Sequence, residues 1–275
     1  MPNFIVGARL HDYGKGTPDE LFGQVSADGF AAVQLAYKKC VPSVKSYADV
    51  TDALVAETVA AGKAHRIQVA VLGTYVELAI NDESRLCNVA DFKSQLAVCK
   101  ALGAGCIGTE TTAMSKQPTG TTRTQAQELL CRSLAEILPV AEALGVTVGI
   151  EPVTYHSMNS AAATRHILDT MRSPNLKVIF DMCNLVSAEN VDAQDRIWYD
   201  MGALLGDQIV AVHFKGQAFA PDGSLLHTSL EESRTDYAGA FAMLRQLPQP
   251  ALPVLREEAV PARAASDIAF MKGFF

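Results

Sequence analysis

Short runs of Val, Ile and other apolar residues alternate along this chain with longer segments whose apolar positions recur at helical period. The runs at 3–8, 31–36, 68–73, 106–109, 147–151, 177–181, 209–214 and 253–257 are short and rich in branched side chains, which predicts strands. Between them the pattern predicts helices over 18–28, 50–65, 90–103, 124–144, 160–172, 192–206, 236–247 and 262–274. Within 124–144, Leu129, Leu130, Leu134, Ile137, Leu138, Ala141 and Leu144 keep one apolar face over several turns. The sequence AlaLeuGly recurs at Gly103 and Gly145, where glycine can take the left-handed C-cap before the next strand. Eight strand–helix pairs with no linker between them predict a single (β/α)8 TIM barrel spanning 1–275. An open doubly wound sheet shares this alternation, but no GxGxxG follows the first strand.

Composition narrows the function. With 49% hydrophobic and 19% charged residues, a chain of 275 residues can bury a large core. It carries 23 basic and 30 acidic side chains, a net charge of -7, and no basic cluster, which argues against a nucleic-acid partner. The start MPNFIVGARLHDYG lacks the features of a secretory signal, and no run of about 18 apolar residues suggests a membrane span. A cytoplasmic protein is expected. The six cysteines are scattered without the paired spacings of zinc or redox sites and are read as free packing residues.

The chemistry concentrates where the strands end. Strand five ends ValGlyIleGluPro, six ValIlePheAspMet, seven ValAlaValHisPheLys and eight ProValLeuArgGluGlu. In a parallel barrel the C-terminal edges of all strands meet at one mouth, so Glu151, Asp181, His213 and Glu257 converge there. Three acids crowded together call for a counterion, and oxygen ligands with one imidazole suit a divalent metal. Mn²⁺ or Mg²⁺ fits best, with Co²⁺ or Zn²⁺ also accommodated. One acid at a strand end is as readily a helix cap; four successive strands ending in such residues are not.

Other polar residues have two readings each. Glu110, ending strand four, is a substrate contact or part of a capping loop; His156 is a contact to a substrate hydroxyl or an incidental surface histidine. Lys215 shares a face with His213 because strand side chains alternate, and it either neutralises an oxyanion or phosphate or is a solvated loop lysine. His11 and His227 are left open. Tyr37, Tyr75 and Phe219 are candidates for the flat walls against which sugars stack.

On GlyThrGluThr at 108–111, GluProVal with His156, the run SerProAsnLeuLysValIlePheAsp at 173–181 followed by Asn184, and HisPheLys at 213–215, the chain resembles the xylose-isomerase-like barrel superfamily, particularly its sugar phosphate isomerase and epimerase branch. The resemblance covers essentially the whole chain. It implies metal ligands at Glu151, Asp181, His213 and a strand-eight glutamate, the first and last doubling as the acid/base pair. Leu255 as an inward neighbour favours Glu257 over Glu258 as that glutamate. Many relatives have Asp, two residues, then His on strand six; here the fourth position is Asn184, which can bond a hydroxyl but cannot shuttle a proton near neutral pH.

The implied activity is isomerisation or epimerisation of a small sugar, cyclitol or sugar phosphate, by proton transfer beside a carbonyl through an enediolate. A dehydratase or lyase on a keto-sugar or inosose shares the same early steps. An abasic-site endonuclease needs more metal ligands and a basic groove, and a non-catalytic sugar-binding barrel is the last alternative. A homo-oligomer is left open, since no residue marks an interface.

Overall fold

Valine and isoleucine fit a pleated, buried surface, and here they build eight parallel strands that close on themselves. The computed structural model describes residues 1–275 apart from the side chain of Asp82. Its strands are β1 (Asn3–Arg9), β2 (Ala32–Leu35), β3 (Gln68–Gly73), β4 (Cys106–Glu110), β5 (Val148–Glu151), β6 (Leu176–Asp181), β7 (Ile209–Phe214), β8 (Gly216–Phe219), β9 (Leu225–Thr228) and β10 (Ala251–Arg256). The closed barrel runs β1-β10-β7-β6-β5-β4-β3-β2, and β8 pairs with β9 in a separate antiparallel hairpin. The fold is the expected (β/α)8 TIM barrel.

The hairpin is a departure, since 216–228 was expected to be loop. A turn lies at Ala220-Pro-Asp-Gly-Ser: the N–H of Gly223 donates to the carbonyl of Ala220 at 2.8 Å, and that of Ala220 to Ser224 at 2.9 Å. A second departure is the helix expected over 90–103, which begins a full two turns earlier, as Asp82–Leu102. Its start is set by Asn81, whose side-chain oxygen accepts the N–H of Ser84. Elsewhere the helix bounds match within a few residues, and Gly103 and Gly145 take left-handed C-caps at φ 64° and 69°.

Inside the barrel the side chains alternate with period two, and the inward set decides what lies beneath the mouth. Leu255 packs across Gly7, where an added Cβ would stand 2.5 Å from its Cδ2. Ile179 likewise fills the space over Gly108 and Gly149. With Ala32, Val71, Cys106 and Ala211 these residues form a small apolar plug. Two residues further along each strand, the same inward direction carries Arg9, Gln34, Glu110, Glu151, Asp181, His213 and Glu257. The polar site therefore rests on a packed floor. Among the described residues, no helix is long and apolar enough to cross a membrane.

Candidate metal centre and sugar site

Neighbouring strands bring the polar residues into register: Glu110 is the Cα partner of Glu151, and Asp181 of His213. Glu151, Asp181, His213, Lys215 and Glu257 are all buried, and Asp181 is fully so. One ligand atom each from Glu151, Asp181 and His213 lies within 4.8 Å of the others. The Nδ1 of His213 is 3.2 Å from Glu151 Oε2, 3.5 Å from Glu257 Oε1 and 3.9 Å from Asp181 Oδ2. Yet neither ring nitrogen of His213, nor Oδ2 of Asp181, makes an aligned hydrogen bond among the described residues. Buried polar atoms are normally satisfied. Convergent N and O ligand atoms of this kind, without aligned hydrogen bonds, fit a hard divalent cation.

The remaining bonds hold these groups in place. The Asp181 carboxylate accepts backbone N–H groups of Cys183 and Asn184 through Oδ1, at 2.7 and 2.9 Å, leaving Oδ2 facing the cluster. The Asn184 side chain donates to Glu151 Oε1 at 2.6 Å. Glu257 stands slightly apart from the cluster of three. Its Oε1 accepts from Gln34 at 3.3 Å, and its Oε2 lies 3.6 Å from Arg9 and 3.6 Å from Lys215. Arg9 is anchored in turn by Asp12 at 2.8 to 3.1 Å.

Lys215 is buried, not solvated, and its Nζ is 2.8 Å from Asp181 Oδ2. Glu258 does not line the central pocket; it has a left-handed φ of 57° and its carboxylate lies against His227. Glu110 sits at the rim, its Oε2 3.8 Å from His156 Nε2. Tyr75 lines the central pocket together with Gln34, Glu110, Glu151, His213 and Glu257. Tyr37 does not form a wall of the site: it is buried, and its hydroxyl donates to Thr58 at 2.7 Å. His11 reaches the rim, its ring edge-on to Tyr75 at 5.7 Å.

Burial and neighbouring charges set the titration of this cluster. For His213, desolvation disfavours the imidazolium, but Glu257, Glu151 and Asp181 together outweigh it and raise the pKa to about 9. For Glu257, burial is likewise outweighed, by His213, Lys215 and Arg9, and the carboxyl falls to about 2. Glu151 moves the other way, because burial dominates and Asp181 and Glu257 repel its charge. Burial, with repulsion from Glu151, lifts Glu110 to about 7.

Arg9, Gln34 and Tyr75 complete a site in which the sequence reading had placed only the last, and that as a wall. Arg9 and Gln34 carried the same signal as the acids: a polar residue at the end of an apolar strand on the inward face.

Comparison with known proteins places this geometry in context. No curated protein sequence matches the chain. Among solved structures, the 3-keto-D-glucoside 4-epimerase YcjR of E. coli is similar over 98% of this chain and 100% of its own, with 18% identity and a TM-score of 0.73. A D-psicose 3-epimerase determined in the presence of D-fructose matches over 100% and 98%, with 15% identity and a TM-score of 0.71. The IOLI protein with a bound zinc atom matches over 100% and 96%, with 15% identity and a TM-score of 0.75. At such identities these likenesses show the fold alone. The family model described as xylose isomerase-like TIM barrel matches residues 22–273, and the chain belongs to that family.

Proposed function

We propose that this protein is a metal-dependent isomerase or epimerase acting on a small sugar, cyclitol or sugar phosphate. The observation that carries the reading is the buried cluster of Glu151, Asp181 and His213, whose ligand atoms converge beneath an open pocket that Glu151 and His213 line. These three residues would hold the cation, with Glu257 joining them through a small movement of its carboxylate. A bound divalent ion would polarise a substrate carbonyl and favour loss of a proton from the adjacent carbon. The similar epimerases and the zinc-bound IOLI protein support this assignment by analogy of fold.

Glu151 and Glu257 reach the pocket from different walls, β5 and the end of β10, three places apart round the barrel. Glu151 Oε2, kept ionised if a cation lies beside it, would take the proton from the substrate carbon, and Glu257, which is charged in the free site, must first gain a proton in the substrate complex before it delivers one to the other face. Return to the same carbon inverts it; return to the neighbouring carbon isomerises. Asn184 fixes the Glu151 carboxylate through Oε1, leaving Oε2 free to act as base. Arg9 and Gln34 fix Glu257. Lys215 Nζ, now beside Asp181, would be free to offer its ammonium to a substrate oxygen if Asp181 held a cation. Glu110 and His156 meet substrate hydroxyls at the rim.

The test is turnover of a panel of ketoses, inososes and their phosphates, with and without EDTA and re-added Mn²⁺. Metal-dependent formation of an epimer or isomer supports the proposal. Formation of an unsaturated or cleaved product assigns elimination instead, and no reaction across the panel refutes it.

A further inference from the structure

Glu110 stands where two hollows meet. The central pocket shares Tyr75, Thr109 and Glu110 with a wider groove, which lies among the loops that follow β3, β4 and β5. Sugar binding at the cluster reaches the second hollow only at its inner edge, through Glu110 and His156. The second is lined by residues with no role in proton transfer.

Its polar groups are incompletely bonded. Thr111 is 2% exposed and its buried hydroxyl has no hydrogen-bond partner among the described residues; His156 is 5% exposed, and its buried Nδ1 makes no aligned hydrogen bond although the ring interacts with the Thr111 backbone. The 3.8 Å between His156 Nε2 and Glu110 Oε2 is too long for a direct hydrogen bond. A hydroxyl oxygen set beside that gap can bond both groups. Burial, reinforced by Lys116 and Arg123, holds the imidazole neutral with a pKa of about 4, so it does not require an anionic ligand.

At the outer edge Tyr155 is 56% exposed, its ring edge-on to His156 at 4.7 Å. Lys116 pairs with Glu77 across the rim, so the groove carries no uncompensated positive charge to attract phosphate. A flat aromatic face together with scattered neutral hydrogen-bonding groups suits a polyhydroxylated ring, whose C–H face is apolar and whose edge is polar.

We propose that this groove is a second sugar subsite and that the substrate is a glycoside or disaccharide: one ring reacts over the metal cluster, and the other lies against Tyr155, Thr111 and His156. This rests on the function proposed above for the central pocket.

The test uses Mn²⁺-loaded protein and two measurements. The first is binding, by calorimetric titration, of D-fructose and of the glucosyl-fructose disaccharides maltulose, leucrose and isomaltulose. The second is deuterium incorporation into the same sugars in D₂O. A second ring adds hydrogen bonds and an aromatic contact, so at least one disaccharide is expected to bind about tenfold tighter than fructose. Tyr155→Ala is expected to remove that gain and leave fructose binding unchanged. If fructose exchanges deuterium but every disaccharide binds no tighter than fructose, the second subsite is refuted while the central site stands. A disaccharide that binds through Tyr155 without exchange supports the subsite and refutes the proposed reaction. Absence of binding by all four sugars overturns both.

Discussion

Lys215→Met removes the one ammonium that sits among the carboxylates of the site, 2.8 Å from Asp181 and 3.6 Å from Glu257. Breaking a buried pair by deleting one partner costs about 3–5 kcal/mol, because the other charge is stranded. Here the stranded charges keep other partners. Asp181 retains two backbone N–H groups at 2.7 and 2.9 Å, and Glu257 retains Arg9 at 3.6 Å and His213 at 3.5 Å. The cost therefore falls at the low end, about 3 kcal/mol, which for a chain of this size lowers the metal-free melting temperature by about 6–12 °C. A cation bound to Asp181 Oδ2 replaces the missing charge, and at about a hundredfold over its Kd it contributes roughly 2.7 kcal/mol. In the native protein that cation must first displace Lys215, so Mn²⁺ stabilises the variant more than the wild type. Calorimetric melts in EDTA and in Mn²⁺ read both effects: a large gap without metal that shrinks by half or more with it. A variant that melts within about 2 °C of wild type in EDTA, or a gap that Mn²⁺ leaves unchanged, would refute the shared occupancy of Asp181 by lysine and metal.

Other consequences follow from the same cluster. The folded pKa of His213, near 9, lies above its unfolded value, so its ion pairs stabilise the metal-free protein fully below about pH 6.5 and fade as pH rises through 9; urea unfolding of the EDTA-treated protein from pH 6 to 10 reads this directly. Metal needs the neutral ring, so Mn²⁺ affinity measured over the same range should rise about tenfold per pH unit and level off near 9. Arg9→Met frees Glu257 without touching the cluster of three. It should lower kcat by about 10–100-fold while leaving Mn²⁺ affinity within about threefold of wild type, as measured by steady-state kinetics and metal titration. Glu258→Gln should retain near wild-type turnover, whereas Glu257→Gln loses about 100-fold or more, since only Glu257 faces the pocket.

Much of this was written in strand ends. Alternation from Ile179 to Asp181, Ala211 to His213 and Leu255 to Glu257 is local, and local patterns are legible without a structure. It carries Glu257 inward from Leu255, whereas Glu258 lies past the end of β10 in a left-handed bend with its carboxylate against His227. Arg9 and Gln34 obey the same rule; they escaped notice because a positive or neutral residue does not itself ask for a metal. The hairpin of β8 and β9 carried a usable signal as well, Pro221-Asp222-Gly223 between two apolar runs, whose turn chemistry is specific. Asn81 gave a comparable sign for the early start of its helix. What local pattern could not give is distance. Nothing in the sequence says that Lys215 reaches Asp181, that Glu257 stands apart from the other ligands, or that Tyr37 is turned into the core against Thr58. Those depend on how eight strands tilt and pack around Ile179 and Leu255.

Proton transfer by Glu151 is tested most directly by following deuterium uptake from D₂O into a turned-over ketose, with Mn²⁺-loaded wild type and Mn²⁺-loaded Glu151→Gln side by side. Uptake at a carbon beside the carbonyl in the wild type, and its loss in a variant that still folds and melts cooperatively, is the expected result. Undiminished uptake in Glu151→Gln would contradict the assignment of that carboxylate as the base.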